Sequence, residues 1–183
     1  MATPPDFSVG QVLTAAQMNA VGLWLIKEQT IGSAVSTVTV TSAFSADYDV
    51  YKITITGGSA SADDDLRFNF DGNTAGYYNG TTYVLNNSGF GNANGVGNNN
   101  QAFWLRIGRA GTNYIDLSME VRDPFATKRS SFNCAHAQFT NGGAAFTSQG
   151  YHDSATSFTG FRIATSSGTM TGGVIRVYGY KIG

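Results

Sequence analysis

The chain has 183 residues and a mass of 19.3 kDa, which is the size of one domain. Its net charge is −1 and 13% of its residues are charged, with no basic stripe, so we expect no nucleic-acid partner. No stretch reaches the roughly 18 apolar residues of a membrane span, so we expect no membrane insertion. The start lacks a basic-then-apolar leader, and the single cysteine, Cys134, excludes an internal disulfide. We therefore expect a soluble protein made in a cytosol.

The first thirty residues predict a short amphipathic helix that ends near Glu28. Thr14 and Gln17 have the spacing of a capping box, in which each side chain satisfies a backbone N–H at the helix start. Apolar residues then recur at helical spacing: Met18, Val21 and Leu25, with Trp24 beside them. A helix of about fourteen residues is marginal alone in water, so this stripe needs a partner surface. That surface is either the chain's own β-body or a symmetry mate in a larger assembly.

From residue 34 onward the apolar period is two, which is typical of half-buried strands. The clearest example runs from Tyr114 to Arg122, where apolar and polar residues alternate until an Asp-Pro pair ends the strand. Nine to ten such segments, separated by turn signals, predict a sandwich or a barrel. We expect an all-β fold, an antiparallel β-sandwich of jelly-roll type, preceded by one short N-terminal helix. The expected division is a docking segment, 1–32, and a β-sandwich display domain, 33–183.

The segment from Asn86 to Asn100 differs from the rest, since eleven of its fifteen residues are Asn or Gly. This composition predicts a long exposed loop. Amide side chains offer paired donors and acceptors, so the loop is a candidate for recognition of a glycan or a neighbouring subunit. The alternative is a variable connection without a ligand. The candidate recognition residues are Asn86, Asn87, Phe90, Asn92, Asn94, Asn98, Asn99 and Asn100. Exposed aromatics beside them, among Tyr77, Tyr78, Tyr83 and Tyr151, would favour recognition, but the same rings could equally lie in the core.

Three groups of reactive residues were considered as sites of chemistry, and each has a plainer interpretation. The acidic run Asp63–Asp65 lacks the alternate spacing of a calcium loop, so we expect a solvated turn. Cys134 and His136 share one face of a strand, but two residues do not make a zinc site, and no third group orients them for nucleophilic catalysis. His152 precedes Asp153 at the start of a loop, which favours a turn hydrogen bond over an acid–base pair. The sequence thus predicts no catalytic residues, no metal site and no cofactor.

A resemblance to a known family lies in three segments. The run Phe7-Ser-Val-Gly-Gln-Val-Leu-Thr-Ala-Ala-Gln-Met-Asn19 resembles a short N-terminal motif of tailed-bacteriophage structural proteins, particularly tail fibres and other virion appendages. Met170–Tyr180 and Tyr114–Phe132 are similar to strand units of the same proteins. The resemblance implies a non-enzymatic, usually trimeric component whose N-terminus docks to the particle while the β-domain faces outward. The docking residues would be Phe7, Val12, Leu13, Met18, Val21, Trp24 and Leu25.

Two functional classes follow from this resemblance, and a third stands apart from it. The chain is expected to be a short tail or head fibre that recognises a host-surface glycan or protein, or else a capsid decoration or cement protein. The third class is a free lectin-like binding module unrelated to phage. In the first two, the partners are further copies of the chain in a homotrimer and other virion proteins, and the location is the virion surface.

Overall fold

The computed structural model describes residues 10, 12, 22–86, 93–139 and 143–180, and these residues contain strands and turns without a helix. In chain order the strands are β1 Trp24–Thr30, β2 Thr37–Val40, β3 Val50–Thr56, β4 Ser59–Ala60, β5 Asp64–Phe70, β6 Tyr77–Leu85, β7 Ala93–Gln101, β8 Trp104–Gly111, β9 Tyr114–Arg122, β10 Ser130–Gln138, β11 Ala144–His152, β12 Phe161–Thr165, β13 Met170–Thr171 and β14 Val174–Tyr180. The residues that the structure describes thus include no helix that could span a membrane. The all-β, antiparallel prediction is confirmed.

The strands form two main sheets that a hairpin connects. The large sheet has the order β1-β14-β3-β9-β10-β11-β6-β7, and the small sheet has the order β2-β12-β5-β8; every neighbouring pair is antiparallel. The β8–β9 hairpin joins the two sheets. Its paired residues are Arg109 with Asp116, Ala110 with Ile115, and Gly111 with Tyr114. Two short strands, β4 and β13, pair separately.

The core between the two sheets is rich in aromatic rings. Trp104 of the small sheet lies 4.4 Å, centroid to centroid, from Phe132 of the large sheet, and Phe68 stacks on Trp104 at 5.2 Å. All three side chains are at most 2% exposed. Aromatic pairs in offset or edge-to-face contact stabilise by about 0.5–1.5 kcal/mol beyond their burial. The inward face of each strand is therefore fixed by large side chains, which also fixes the residues on the opposite, outer face.

The predicted N-terminal helix is wrong where the structure describes it. Residues Trp24–Thr30 form strand β1, which pairs with β14 from Trp24 opposite Gly179 to Thr30 opposite Val174. Ile26 packs against the core, and pairing with β14 satisfies the backbone, so tertiary context overrides the helical spacing of the apolar residues. Of the remaining docking residues, Val12 is 86% exposed, and Phe7, Leu13, Met18 and Val21 lie outside the described residues.

The prediction of a single long loop from Asn86 to Asn100 is also wrong in part. Residues Ala93–Gln101 form β7, the edge strand of the large sheet, which pairs with β6. Asn and Gly disfavour strands in isolation, but a neighbouring strand that pairs with their backbone groups holds them extended. Asn86 lies in the turn after β6, whereas Asn87, Phe90 and Asn92 lie outside the described residues.

Candidate functional site

The outer face of strands β6, β7 and β11 carries a shallow depression of about 500 Å³. Strand register places its residues in two rows across the three strands. Gln149, Gly80 and Gly97 form one row, and Thr147, Thr82 and Gly95 form the other. All six are exposed, and no charged residue lines the depression.

The three glycines of the depression are not required by the fold itself. None of Gly80, Gly95 and Gly97 has a positive φ, so the backbone there suits any residue. A Cβ added at Gly80 or Gly97 would meet nothing within 4 Å, and at Gly95 it would meet only a carbonyl oxygen at 4.0 Å. Glycine weakens a strand interior by roughly 0.5–1 kcal/mol relative to alanine, and it often marks a place where another molecule approaches the backbone closely.

Two tyrosines lie on the same outer face, one row beyond the depression. Tyr151 and Tyr78 are directly opposite each other on β11 and β6, and their rings stack with centroids 4.9 Å apart and planes 6° apart. Tyr151 is 42% exposed. The Arg129 guanidinium lies 6.0 Å from the centre of the Tyr151 ring and is ion-paired with Asp153. These contacts hold an aromatic surface beside an uncharged depression.

The acidic run is not the solvated turn that the sequence predicted. Asp64 is 8% exposed and its carboxylate accepts from the backbone N–H of Ser167. Asp65 accepts from Arg106 Nε at 3.0 Å and from Arg109 Nη1 at 2.6 Å. The sequence does not reveal this arrangement because it depends on a β-bulge in β8. At the bulge Arg106 has a φ of 58°, and its side chain is directed to Asp65. Within the described ranges, no three His, Cys, Asp or Glu side chains are placed to hold a metal ion.

Cys134 and His136 share the buried face of β10, as their spacing predicted. Burial raises the pKa of the Cys134 thiol to about 12, so the thiol is neutral at physiological pH. Burial lowers the pKa of His136 to about 4. The His136 ring stacks on Phe146 with centroids 4.8 Å apart, and Phe146 stacks on Tyr83. This arrangement is a packing contact and does not activate a nucleophile.

His152 makes the turn hydrogen bond that the sequence predicted. Its Nδ1 accepts from the backbone N–H of Ser154 at 3.3 Å, and its Nε2 lies 3.0 Å from the carbonyl oxygen of Ala75. The side chain is fully buried. Burial is the largest cause of its lowered pKa, so the ring is neutral near pH 7.

The predicted recognition residues separate into structural and exposed groups. Asn98 donates to the carbonyl of Phe103 at 2.9 Å, and Asn100 accepts from the backbone N–H of Gly76 at 3.1 Å, so both stabilise the C-terminal end of β7. Asn99 is exposed, and for Asn94 the structure describes the backbone alone.

Of the aromatics that the sequence left open between the surface and the core, Tyr77 is fully buried, whereas Tyr83 is half-buried. The Arg106 guanidinium lies 5.5 Å from the centre of the Tyr83 ring. Tyr78 and Tyr151 are the pair that reaches the outer face. Sequence reasoning missed the depression beside them, although alternation along β6 and β11 places Thr82 and Gln149 on the face opposite the core.

Trp24 and Leu25, the two predicted docking residues on β1, and the depression lie at opposite edges of the large sheet. Leu23, Trp24 and Leu25 are 51%, 37% and 53% exposed, at the start of edge strand β1. In the strand register, Leu25 on β1 and Gly97 on β7 belong to the same row of residues across the large sheet. Eight strands spaced about 4.8 Å apart separate these residues by roughly 34 Å.

Comparison of the chain with family models, with curated proteins and with solved structures finds no match.

Proposed function

We propose that the chain is a non-enzymatic bacteriophage virion structural protein, a trimeric surface appendage that docks to the particle through its N-terminal segment. The observation that carries the proposal is the exposed apolar group Leu23, Trp24 and Leu25 at the start of β1. It begins four residues after Asn19, the end of the segment that resembles the phage motif. Isolated exposed apolar residues are common, but three in succession where an edge strand begins favour a protein contact.

The rest of β1 is protected against unselective strand pairing. The strand bulges between Leu25 and Lys27, and Glu28 is ion-paired with Arg176 across the neighbouring strand. Bulges and charges on an edge strand are the usual means of preventing edge-to-edge association. The contact is thereby restricted to the apolar start of the strand. Burying the exposed apolar area of these residues would favour association by about 25 cal/mol per Å², before the ordering costs of association.

The assignment as a non-enzymatic protein is supported by the environment of its most reactive groups. The Cys134 thiol is neutral, and neither ring nitrogen of the buried His136 has a hydrogen-bond partner in the described part of the chain. Neither group is arranged to transfer a proton to the other. The jelly-roll topology expected of a display domain stays a prediction, because the described strands establish an antiparallel all-β fold and not that particular topology.

Incorporation into particles tests the docking surface. In particles assembled with Leu25→Asp, we expect the chain to be lost, because a buried carboxylate without a partner opposes the contact. Thr30→Asp adds the same charge at the exposed far end of β1 and should be incorporated normally. Quantitative blotting of purified particles compares the two. Incorporation of Leu25→Asp at the level of the unmodified chain would contradict the proposal.

Recognition of the host surface is favoured over passive decoration by the exposed Tyr151, stacked on the half-buried Tyr78 beside the uncharged depression. Labelled protein is expected to bind host cells. Gold labelling distributed over the capsid shell, without binding of the protein to cells, would favour decoration or cement instead.

A further inference from the structure

We infer that the start of β1 in one copy of the chain lies against the free edge of β7 in the next copy, with Leu25 of one chain opposite Gly97 of its neighbour. The inference rests on the proposed function for the trimer and names the two surfaces through which the trimer forms. Three chains joined in this way, each edge to the opposite edge of the next, close a ring.

Strand β7 has a free edge that lacks the usual protection. In the described residues it pairs with β6 alone, so every second residue directs its backbone N–H and C=O away from the sheet. The strand is regular from Ala93 to Asn98, and a bulge follows only between Asn98 and Gln101. It contains no charged residue and no proline. An edge of this kind is a template for pairing with a strand of another chain.

Strands β1 and β2 also lie at sheet edges, but they are less open. Strand β1 bulges between Leu25 and Lys27 and carries the ion pair of Glu28, and β2 has four residues. Bulges, charges and short edge strands all limit pairing between chains. The apolar start of β1 is therefore the part of its edge that is left for a contact, and β7 offers a longer open stretch.

The strand order lets these two edges meet within the geometry of the sheet itself. Every neighbouring pair in the large sheet is antiparallel, and β1 and β7 are the first and last of eight strands, so they run in opposite directions. A second copy placed beside β7 in the same orientation therefore presents its β1 antiparallel to β7. Leu25 and Gly97 belong to one row, so extending that row into the second copy brings its Leu25 beside Gly97.

The residues that meet in this register are complementary in size. Leu25 is 53% exposed, whereas a Cβ added at Gly97 would meet nothing within 4 Å. The leucine side chain can therefore lie over the bare backbone of Gly97, a cross-strand contact that shields an edge glycine from water. Val96 is 38% exposed and adds an apolar contact on the opposite face of β7. Neither the start of β1 nor β7 carries a charge, so the contact buries no unpaired ion.

Pairing of β7 with β7 of a second copy is the alternative use of the same edge. It would also be antiparallel and uncharged, but it joins two chains about a two-fold axis and leaves Leu23, Trp24 and Leu25 uncovered. A contact between opposite edges is head-to-tail, and head-to-tail contacts close into rings. The contact of β1 with β7 is favoured because it covers the apolar group and is compatible with three chains.

Disulfide trapping distinguishes these arrangements. Within one chain Leu25 and Gly97 are separated by roughly 34 Å, and a disulfide needs Cα atoms within about 7 Å, so cysteines at both positions can join only different chains. We expect the double variant Leu25→Cys/Gly97→Cys, oxidised after assembly, to run as a covalent trimer on a non-reducing gel. Each single variant alone should stay uncrosslinked, whereas co-expression of the two single variants should give covalent dimers. Cys134 is buried and its pKa is raised to about 12, so it does not compete.

The matched control is Leu25→Cys/Asn133→Cys. Asn133 is exposed in the same row but lies three strands in from β7, so this variant should give no covalent trimer. A second measurement needs no disulfide. Gly97→Lys places a charge at the contact, in open space above the sheet, and light scattering should show a mass below three times 19.3 kDa. Asn133→Lys adds the same charge away from the edge and should keep the mass of the trimer.

Covalent dimers of Leu25→Cys alone would show that the starts of β1 meet one another, and covalent dimers of Gly97→Cys alone would show pairing of β7 with β7. Either result overturns the inference. A trimer by light scattering, with the double variant as free of crosslinks as its control or with the mass unchanged in Gly97→Lys, refutes the edge contact and leaves the proposed trimer standing. A monomeric full chain refutes the proposed trimer itself.

Discussion

Acidification should destabilise the fold through His136. This histidine is 7% exposed, and neither of its ring nitrogens has a hydrogen-bond partner in the described residues. Burial is the largest cause of its lowered pKa, and the charges of Arg109 and Arg106 lower it further. Asp116 and Asp65 oppose the shift, but the pKa still falls to about 4.

The sign of the effect follows from the difference between the two states. The folded pKa lies below the unfolded value of about 6.5, so the unfolded chain binds more protons between about pH 6.5 and pH 4. The free energy of unfolding is therefore highest above this window and falls as the pH decreases through it. At about 1.4 kcal/mol per pH unit, the loss attributable to His136 approaches roughly 3 kcal/mol near pH 4. His152, whose pKa is also lowered, adds a loss of the same sign.

Urea unfolding of the unmodified protein and of His136→Phe, at several pH values between about 7 and 4, measures this loss. Phenylalanine keeps the ring that stacks on Phe146 and removes two nitrogens without partners, so stability near neutral pH should change by less than about 1 kcal/mol. The dependence on pH should become flatter by about the amount derived above. An equally steep dependence in His136→Phe would refute the assignment to this residue.

Three further substitutions test the packing that holds the site. Tyr77→Phe removes the hydroxyl that accepts from the backbone N–H of Phe70 at 2.7 Å, and it should lower the free energy of unfolding by about 1–3 kcal/mol in urea; an unchanged value would contradict the burial of that bond. Gly150→Ala places a Cβ against the carbonyl oxygen of Tyr78, so the melting temperature should fall by several degrees, and retention of the original value would show that the strands separate easily. Asp65→Ala leaves two arginines without their carboxylate and should lower the free energy of unfolding by about 2 kcal/mol, measured by thermal unfolding; an unchanged melting temperature would contradict a stabilising role for these ion pairs.

The strands with large alternating side chains were predictable from the sequence. Strands β3, β5 and β9 lie where the period of two placed them, because one face of each is buried against the other sheet. Strand β1 was not predictable in this way, since its apolar residues fit a helical spacing and only pairing with β14 makes it extended. Strand β7 has no apolar alternation at all, and its partner β6 alone makes it a strand.

The candidate site was predictable in its residues but not in its arrangement. Tyr78 and Tyr151 were identified from the sequence as aromatics that could be exposed. That they stack depends on the register of β6 with β11, two strands with more than fifty residues between them, which no local pattern reveals. The depression likewise needs Gly80 and Gly97 to be adjacent across strands. The ion pairs of Asp65 with Arg106 and Arg109 were not predictable either, because they depend on the bulge in β8.

The most direct test of the central claim is the solution mass by light scattering of the full chain, of Leu25→Asp and of a deletion of residues 1–21. A deletion that extends to residue 30 is unsuitable, because it removes β1 and uncovers the edge of β14. The account predicts a mass near three times 19.3 kDa for the full chain, a trimer also for the deletion, which keeps Leu23, Trp24 and Leu25, and a smaller oligomer or a monomer for Leu25→Asp. A monomer of 19.3 kDa for the full chain, or an unchanged trimer in Leu25→Asp, would contradict association through the start of β1.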